Sequence, residues 1–520
     1  MSTLLFFLRS KRTFILLWTI PLALLLASVP QAIKSSYPDQ TQLNAVIEQM
    51  RASLGTTVFY GIPTTDMGYS GWAVWETVPW MLILGSVMAI MLAASIGRAA
   101  EENGQLEVLS STGVSAHQIR LLTIGTVFIA AAFFGLLCTL VLLAQMLVVE
   151  GFTVTGSVLS GLLIASVVSC LGLITLLGGE VFGTARQARS TGLAFLAVFF
   201  ILRALADVYT ISWLRWLPPL GWRDLIAPYT KDEAWPLLVI LMILILLAIP
   251  TAVRHRDLND QFLHISDHKP RARGFGSLGL LWHLQQSPIL WWVGSIVLLA
   301  VGFFGMTGEM TSVFEQASAT IRTMISFTGM EDFGEVYAQY VGQFLGILVG
   351  CAAVRTVLSL ASFEHHGYLD VHLSTGAHRL KVLATMLFFA VIALLVTVLL
   401  AGILGGKVAL NSGIDSSIEE HVRWAMIDLI PGVIALLGLA VFFLGLHSKT
   451  AQLAWVPVIF SGFITFFGEL LQLPDWLNNL SVFAWSAHTV DHYTGAAVLV
   501  ALGVAAAILG AVLYHRRDLA

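Results

Sequence analysis

EENGQLEVLSSTG, from Glu101 to Gly113, returns later in the chain as EHHGYLDVHLSTG, from Glu364 to Gly376. Gly104 matches Gly367, Leu106 matches Leu369, Glu107 matches Asp370, and Thr112-Gly113 match Thr375-Gly376, all at an offset of 263 residues. A duplicated block marks a duplicated structural unit, so this repeat decides the architecture. The same offset pairs Trp222 with Trp485. The chain of 520 residues therefore reads as two copies of one unit.

What surrounds the two blocks is apolar. Hydrophobic residues make up 57% of the chain and charged residues only 11%, against roughly a quarter charged in a soluble domain. The mean hydropathy of +0.84 comes from long apolar runs separated by short polar stretches, the pattern of a chain that crosses a bilayer many times. Runs of about 18 residues or more centre near Pro21, Gly85, Phe134, Val167, Val198, Ile243, Val297, Ile347, Ile392, Leu436, Phe460 and Val504. The fold class expected is an all-α membrane protein of twelve transmembrane helices in two pseudo-symmetric six-helix halves, residues 1–253 and 287–520, joined by a basic linker at 254–286. Lys11 and Arg12 before the first run suggest a secretory leader, but the run from Thr13 to about Pro30 is longer than a leader's apolar core and reads as a retained span.

About two-thirds of the 27 Lys and Arg residues fall in alternate connections, the set that includes Arg98, Arg120, Arg186, Arg254, Arg379, Lys449 and Arg517. By the positive-inside rule these connections, both repeat blocks and both ends of the chain are cytoplasmic. Two halves of one orientation imply a pseudo-two-fold axis along the membrane normal and a pathway between them. Basic residues in the linker read first as topology-setting charge and second as contacts to anionic membrane lipids.

A thirteen-residue block between long spans is too short for a domain. It reads as a short helix along the membrane surface, with Leu106 and Leu109 turned to the bundle or bilayer and the carboxylates to water. Gly113 and Gly376 would end it, since glycine takes the left-handed cap conformation without strain. A Glu-Glu-x-Gly-x-Leu-Glu loop after the second of six spans resembles the coupling element of type-2 ATP-binding-cassette export permeases. The duplication, the stretch LRALADVYTISWLRWLPPLGWRDLIAP from Leu202 to Pro228, and LLWHLQQSPILWW from Leu280 to Trp292 are similar to actinobacterial exporters of polyketide antibiotics and other drugs. That resemblance implies coupling to a separate ATPase subunit, present in two copies, through Glu101, Glu102, Gly104, Leu106, Glu107, Gly113, Glu364, Gly367, Leu369, Asp370 and Gly376. It implies outward movement of amphiphilic drugs, antibiotics or lipids through a bacterial plasma membrane.

The residues themselves exclude a built-in motor of the common kind. A phosphate-binding loop of the form Gly-x-x-x-x-Gly-Lys-Ser/Thr is absent, and Gly406-Lys407, the only Gly-Lys pair, is followed by Val408. This chain thus carries no cofactor of its own; ATP and magnesium belong to the partner. The alternative source of energy is an ion gradient, and a proton-coupled multidrug antiporter of two parallel six-span halves is the second reading. It depends on acids at bilayer depth, where each ionisable group costs roughly 2.5–3.5 kcal/mol on insertion scales. Arg203 and Asp207, one helical turn apart, read as an internally paired anchor or part of a polar outer vestibule; Glu469 reads as a contact for a cationic substrate group or a proton carrier. A membrane-embedded transferase or hydrolase would need a polar cluster at one depth, which the sequence lacks. His488-Thr489-Val490-Asp491-His492 supplies too few ligands for zinc, Cys138, Cys170 and Cys351 have no paired spacing, and scattered basic residues exclude a nucleic-acid surface.

Overall fold

The computed structural model describes residues 2–37, 39–52, 54–64, 67–253, 276–308, 310–311, 333–365, 367–411, 416–467, 474–483, 485 and 493–517. Every regular element among the described residues is helical. The chain divides into two compact units, Met1–His268 and Lys269–Ala520.

The first unit contains α1 (Ser2–Ser36), α2 (Gln40–Ala52), α3 (Leu54–Tyr60), α4 (Tyr69–Ile96), α5 (Arg98–Glu102), α6 (Gln105–Ser111), α7 (Ala116–Gln145), α8 (Val154–Val181), α9 (Ala185–Val208), α10 (Trp222–Ile226) and α11 (Pro236–Val253). The second contains α12 (Ser277–Gly305), α13 (Phe333–His365), α14 (Tyr368–Ser374), α15 (Arg379–Leu410), α16 (Ile418–Ile427), α17 (Leu429–Leu446), α18 (Trp455–Phe467), α19 (Asp475–Asn478) and α20 (Tyr493–Arg516). Residues 254–275, most of the expected linker, lie outside the described residues, and α12 already begins at Ser277.

Eleven segments among the described residues are long and apolar enough to cross a membrane, α16 and α17 together forming one of them, Ile418–Leu446. The chain is a multi-pass membrane protein. At the twelfth expected position, centred on Phe460, stands α18, described as far as Phe467, beyond which residues 468–473 lie outside the described residues.

Helix starts are set by local chemistry. Ser115 accepts a hydrogen bond from the Gln118 amide at 3.2 Å and Gln118 returns one from the Ser115 amide at 3.0 Å, a capping box that opens α7. Thr184 and Gln187 open α9 in the same way. Inside the spans, hydroxyls return to their own helix: Thr126 donates to the Leu122 carbonyl at 2.7 Å, Thr175 to Leu171 at 2.8 Å and Thr397 to Ala393 at 2.7 Å. Where water is absent, such bonds satisfy each hydroxyl without a partner helix.

Neighbour relations recur in the two units. The first long helix packs on the third (α1 on α7, α12 on α15), the second on the fourth (α4 on α8, α13 on α17), and the fourth on the last (α8 on α11, α17 on α20). In the first unit α8 is the most enclosed span, with 72% of its central window buried. The last helix α20 lies at the rim of its unit; Leu502, Ile508 and Leu509 point outward, an apolar face suited to lipid.

Small residues set the closest seams. A Cβ added to Gly438 on α17 would stand 2.0 Å from the Gly503 carbonyl oxygen on α20, and one added to Gly445 would stand 2.2 Å from the Gly510 carbonyl oxygen. Two glycine pairs seven residues apart let the backbones touch, which is how helices associate when lipid removes the hydrophobic drive between them. At the 263-residue offset the first unit has Thr175 and Ile240, then Phe182 and Leu247, at these positions.

Candidate functional site

The two repeat blocks share their turn and helix geometry. Gly104 has φ +69° and opens α6; Gly367 has φ +72° and opens α14. Their amides donate to the carbonyls of Glu101 and Glu364 at 2.9 and 3.0 Å. The Thr112 hydroxyl donates to the Leu109 carbonyl at 2.7 Å, and its counterpart Thr375 to His372 at 2.6 Å. Gly113 and Gly376 then turn the chain with φ of +90° and +87°. The left-handed turn expected at the end of each helix is therefore present, and a second one, not expected, stands at the start. Nothing lies within 4 Å of a Cβ added at any of these four glycines, so backbone conformation and not space demands glycine there.

Each short helix has an inner and an outer face. Leu106 and Leu369 point inward, 6% and 2% exposed, and seat the helices on their units. Glu107 and Asp370 are exposed. Beside them Val108 and Val371 are 68% and 70% exposed, an apolar residue next to an acid at the same place in both copies. These valines were legible as identical residues in the repeat, yet only the structure identifies them as part of the outer face.

Not all of the block's carboxylates face water. Glu101 is buried and pairs with Arg98 at 3.0 Å, while the Arg98 Nε donates to the Gly183 carbonyl at 2.7 Å. Glu364 is buried too; it pairs with Arg379 at 3.3 Å and closely with Arg517. The Arg379 and Arg517 guanidiniums lie 4.3 and 5.1 Å from the centroid of the Tyr514 ring, and Arg379 Nη1 donates to the Arg517 carbonyl at 2.6 Å. A buried carboxylate must be paired, and the sequence reading overlooked the pairing because it treated every acid in the block as solvated. Glu102 is exposed but accepts from the Ala185 amide at 2.8 Å, bracing the start of α9. Below the first block lies a cavity of about 50 Å³ lined by Arg98, Glu101, Leu106 and Arg120 among others.

At the opposite end of the first unit, Arg203 and Asp207 are both buried and pair at 3.5 Å. Arg215 adds a bond to Asp207 at 3.2 Å. Arg203 donates to the Val58 and Phe59 carbonyls, and Arg223 to the Tyr60 carbonyl, so two guanidiniums cap the C-terminal end of α3. A cavity of about 140 Å³ beside them is lined by Trp75, Asp207, Arg215, Arg223, Asp224 and other residues. The Tyr60 and Tyr229 hydroxyls at this end are pushed up from the usual phenol range by burial and stay neutral. The geometry ties Arg203 to the connecting helix α3 and pairs it with Asp207, which also lines the cavity. Glu469, His366 and His488–His492 lie outside the described residues.

Two comparisons bear on these features. Residues 276–517 match a family model described as "Multidrug efflux system permease Rv1217c, C-terminal domain". The whole chain is 26% identical over 532 aligned positions to the "Multidrug efflux system permease protein Rv1217c" of Mycobacterium tuberculosis, with 98% of this chain and 94% of that protein covered. The aligned region extends through both units.

Proposed function

We propose that the chain is the membrane-spanning permease of an exporter driven by a separate ATP-binding-cassette subunit. It moves amphiphilic drugs, antibiotics or lipids outward across a bacterial plasma membrane. The block ends of both units face the cytoplasm, and α6 and α14 are the grips for two copies of the ATPase. The single observation that carries this reading is the pair of matched short helices, each seated by a buried leucine and presenting an acid and a valine to solvent. A surface turn without a partner has no need to repeat an exposed valine beside an acid, whereas an apolar spot with a charge at its rim suits docking. The efflux-permease name of the M. tuberculosis relative supports the transport class.

Catalysis of ATP hydrolysis would lie wholly on the partner, and this chain's part is mechanical. Force applied to α6 or α14 enters the bundle through the buried Leu106 and Leu369 and through the Glu101 and Glu364 ion pairs. The two six-helix halves that the repeat implies would then change their openings in alternation.

The test is a search of the adjacent reading frames for an ATPase subunit, co-purification with it, and efflux assays. Glu107→Lys and Asp370→Lys should each weaken association on the order of tenfold, since reversing a rim charge opposes complementary recognition. Drug efflux that persists unchanged in cells lacking the ATPase, and that collapses with the proton gradient, would overturn the reading in favour of the antiporter.

A further inference from the structure

The second block differs from the first in what holds its buried acid. Glu364, at the end of α13, is gripped by Arg379 at the start of α15 and by Arg517 just past α20. Glu364 and Arg517 are 153 positions apart in sequence. Arg517 also gives its carbonyl to Arg379 and lies over the ring of the fully buried Tyr514. Four groups from three helices thus close one small charged knot directly beneath α14. From that knot α20 runs along α17 on the glycine seam at Gly438–Gly503 and Gly445–Gly510.

We propose that Arg517 is a positioning residue for the second ATPase contact: it clamps the base of α14 to the last helix, so that α14 is presented at a fixed angle and its displacement is passed to α20 and α17. The inference rests on the docking role proposed for α14. Arg517 does not belong to the outer face that a partner would touch; it acts through Glu364 and Gly367, the residues from which α14 springs. The charges facing Glu364 within the knot are Arg379 and Arg517, so loss of Arg517 leaves a carboxylate with one cation in place of two. The helix would then be free to tilt about the Gly367 turn.

The experiment uses the full-length chain in lipid nanodiscs, with the ATPase added as purified protein. Arg517→Ala should raise amide exchange across residues 368–374 and weaken ATPase association on the order of tenfold, while exchange across 105–111 stays unchanged. Arg517→Lys keeps a cation at the site and should recover most of the association. If Arg517→Ala does not insert, Arg517→Lys carries the same two readouts at smaller size, because a lysine keeps the charge near Glu364 but not the planar guanidinium that lies over the Tyr514 ring. Asp370→Lys separates the two readings. If it weakens association and Arg517→Ala does not, the clamp is overturned and docking stands. If neither variant changes association, docking at α14 fails and takes the clamp with it. Exchange that rises equally over the whole second unit would mark Arg517 as a general stabiliser and also overturn the positioning role.

Discussion

Single residues divide the repeat block into anchors and contacts, and substitution should separate them cleanly. Removing the Glu101 carboxylate leaves Arg98 buried with its ion pair broken, a change that costs about 3–5 kcal/mol in buried pairs. Glu101→Ala should therefore lower the recovery of folded protein and its melting temperature, which fluorescence-detected size exclusion after heating measures. Glu107→Lys, on an exposed position of the same helix, should leave the melt unchanged and alter only partner binding. Gly104→Ala should cost about 1–2 kcal/mol, from the positive φ alone, because the added methyl meets nothing. Gly104→Asn should cost less, since asparagine visits the left-handed region more readily. A melt in which alanine and asparagine are equally tolerated would contradict the conformational account. Gly113 and Gly376 were readable as turn residues from their place after the helix, whereas Gly104 and Gly367, preceded by a helical run, carried no such cue. The partner of Glu101 stood three residues away and could have been found by helical spacing; Arg517, 153 positions from Glu364, could not.

At the scale of helices, the span positions were open to reading because apolar runs of sufficient length have no other stable use. Glycines inside two of those runs form a seam. Gly438, Gly445, Gly503 and Gly510 repeat every seven residues on two helices that touch backbone to backbone. Gly503→Val should force α17 and α20 apart, with a cost of about 1–3 kcal/mol or more from overpacking. Loss of cooperative unfolding of the second unit on heating checks it.

For the whole molecule, the sidedness implied by Lys and Arg placement is open to direct measurement. On a background without Cys138, Cys170 and Cys351, cysteines at Val108 and Val371 should react with a membrane-impermeant maleimide in inside-out vesicles only. A cysteine at the exposed Trp213 should react in intact cells only. Labelling of Val108 and Val371 from opposite faces would break the parallel arrangement that the repeat implies. The internal likeness of the units was legible because the block is long enough to exclude chance. The unequal packing of their last helices was not, because it resides in which glycines survive outside the block. A joint without side chains between its backbones has no cushion to compress and no rotamers to exchange. The α17–α20 pair is accordingly a stiff beam, and any rocking during a cycle of opening and closing has to occur at looser seams, such as that between α8 and α11, where bulky side chains can slide and re-settle.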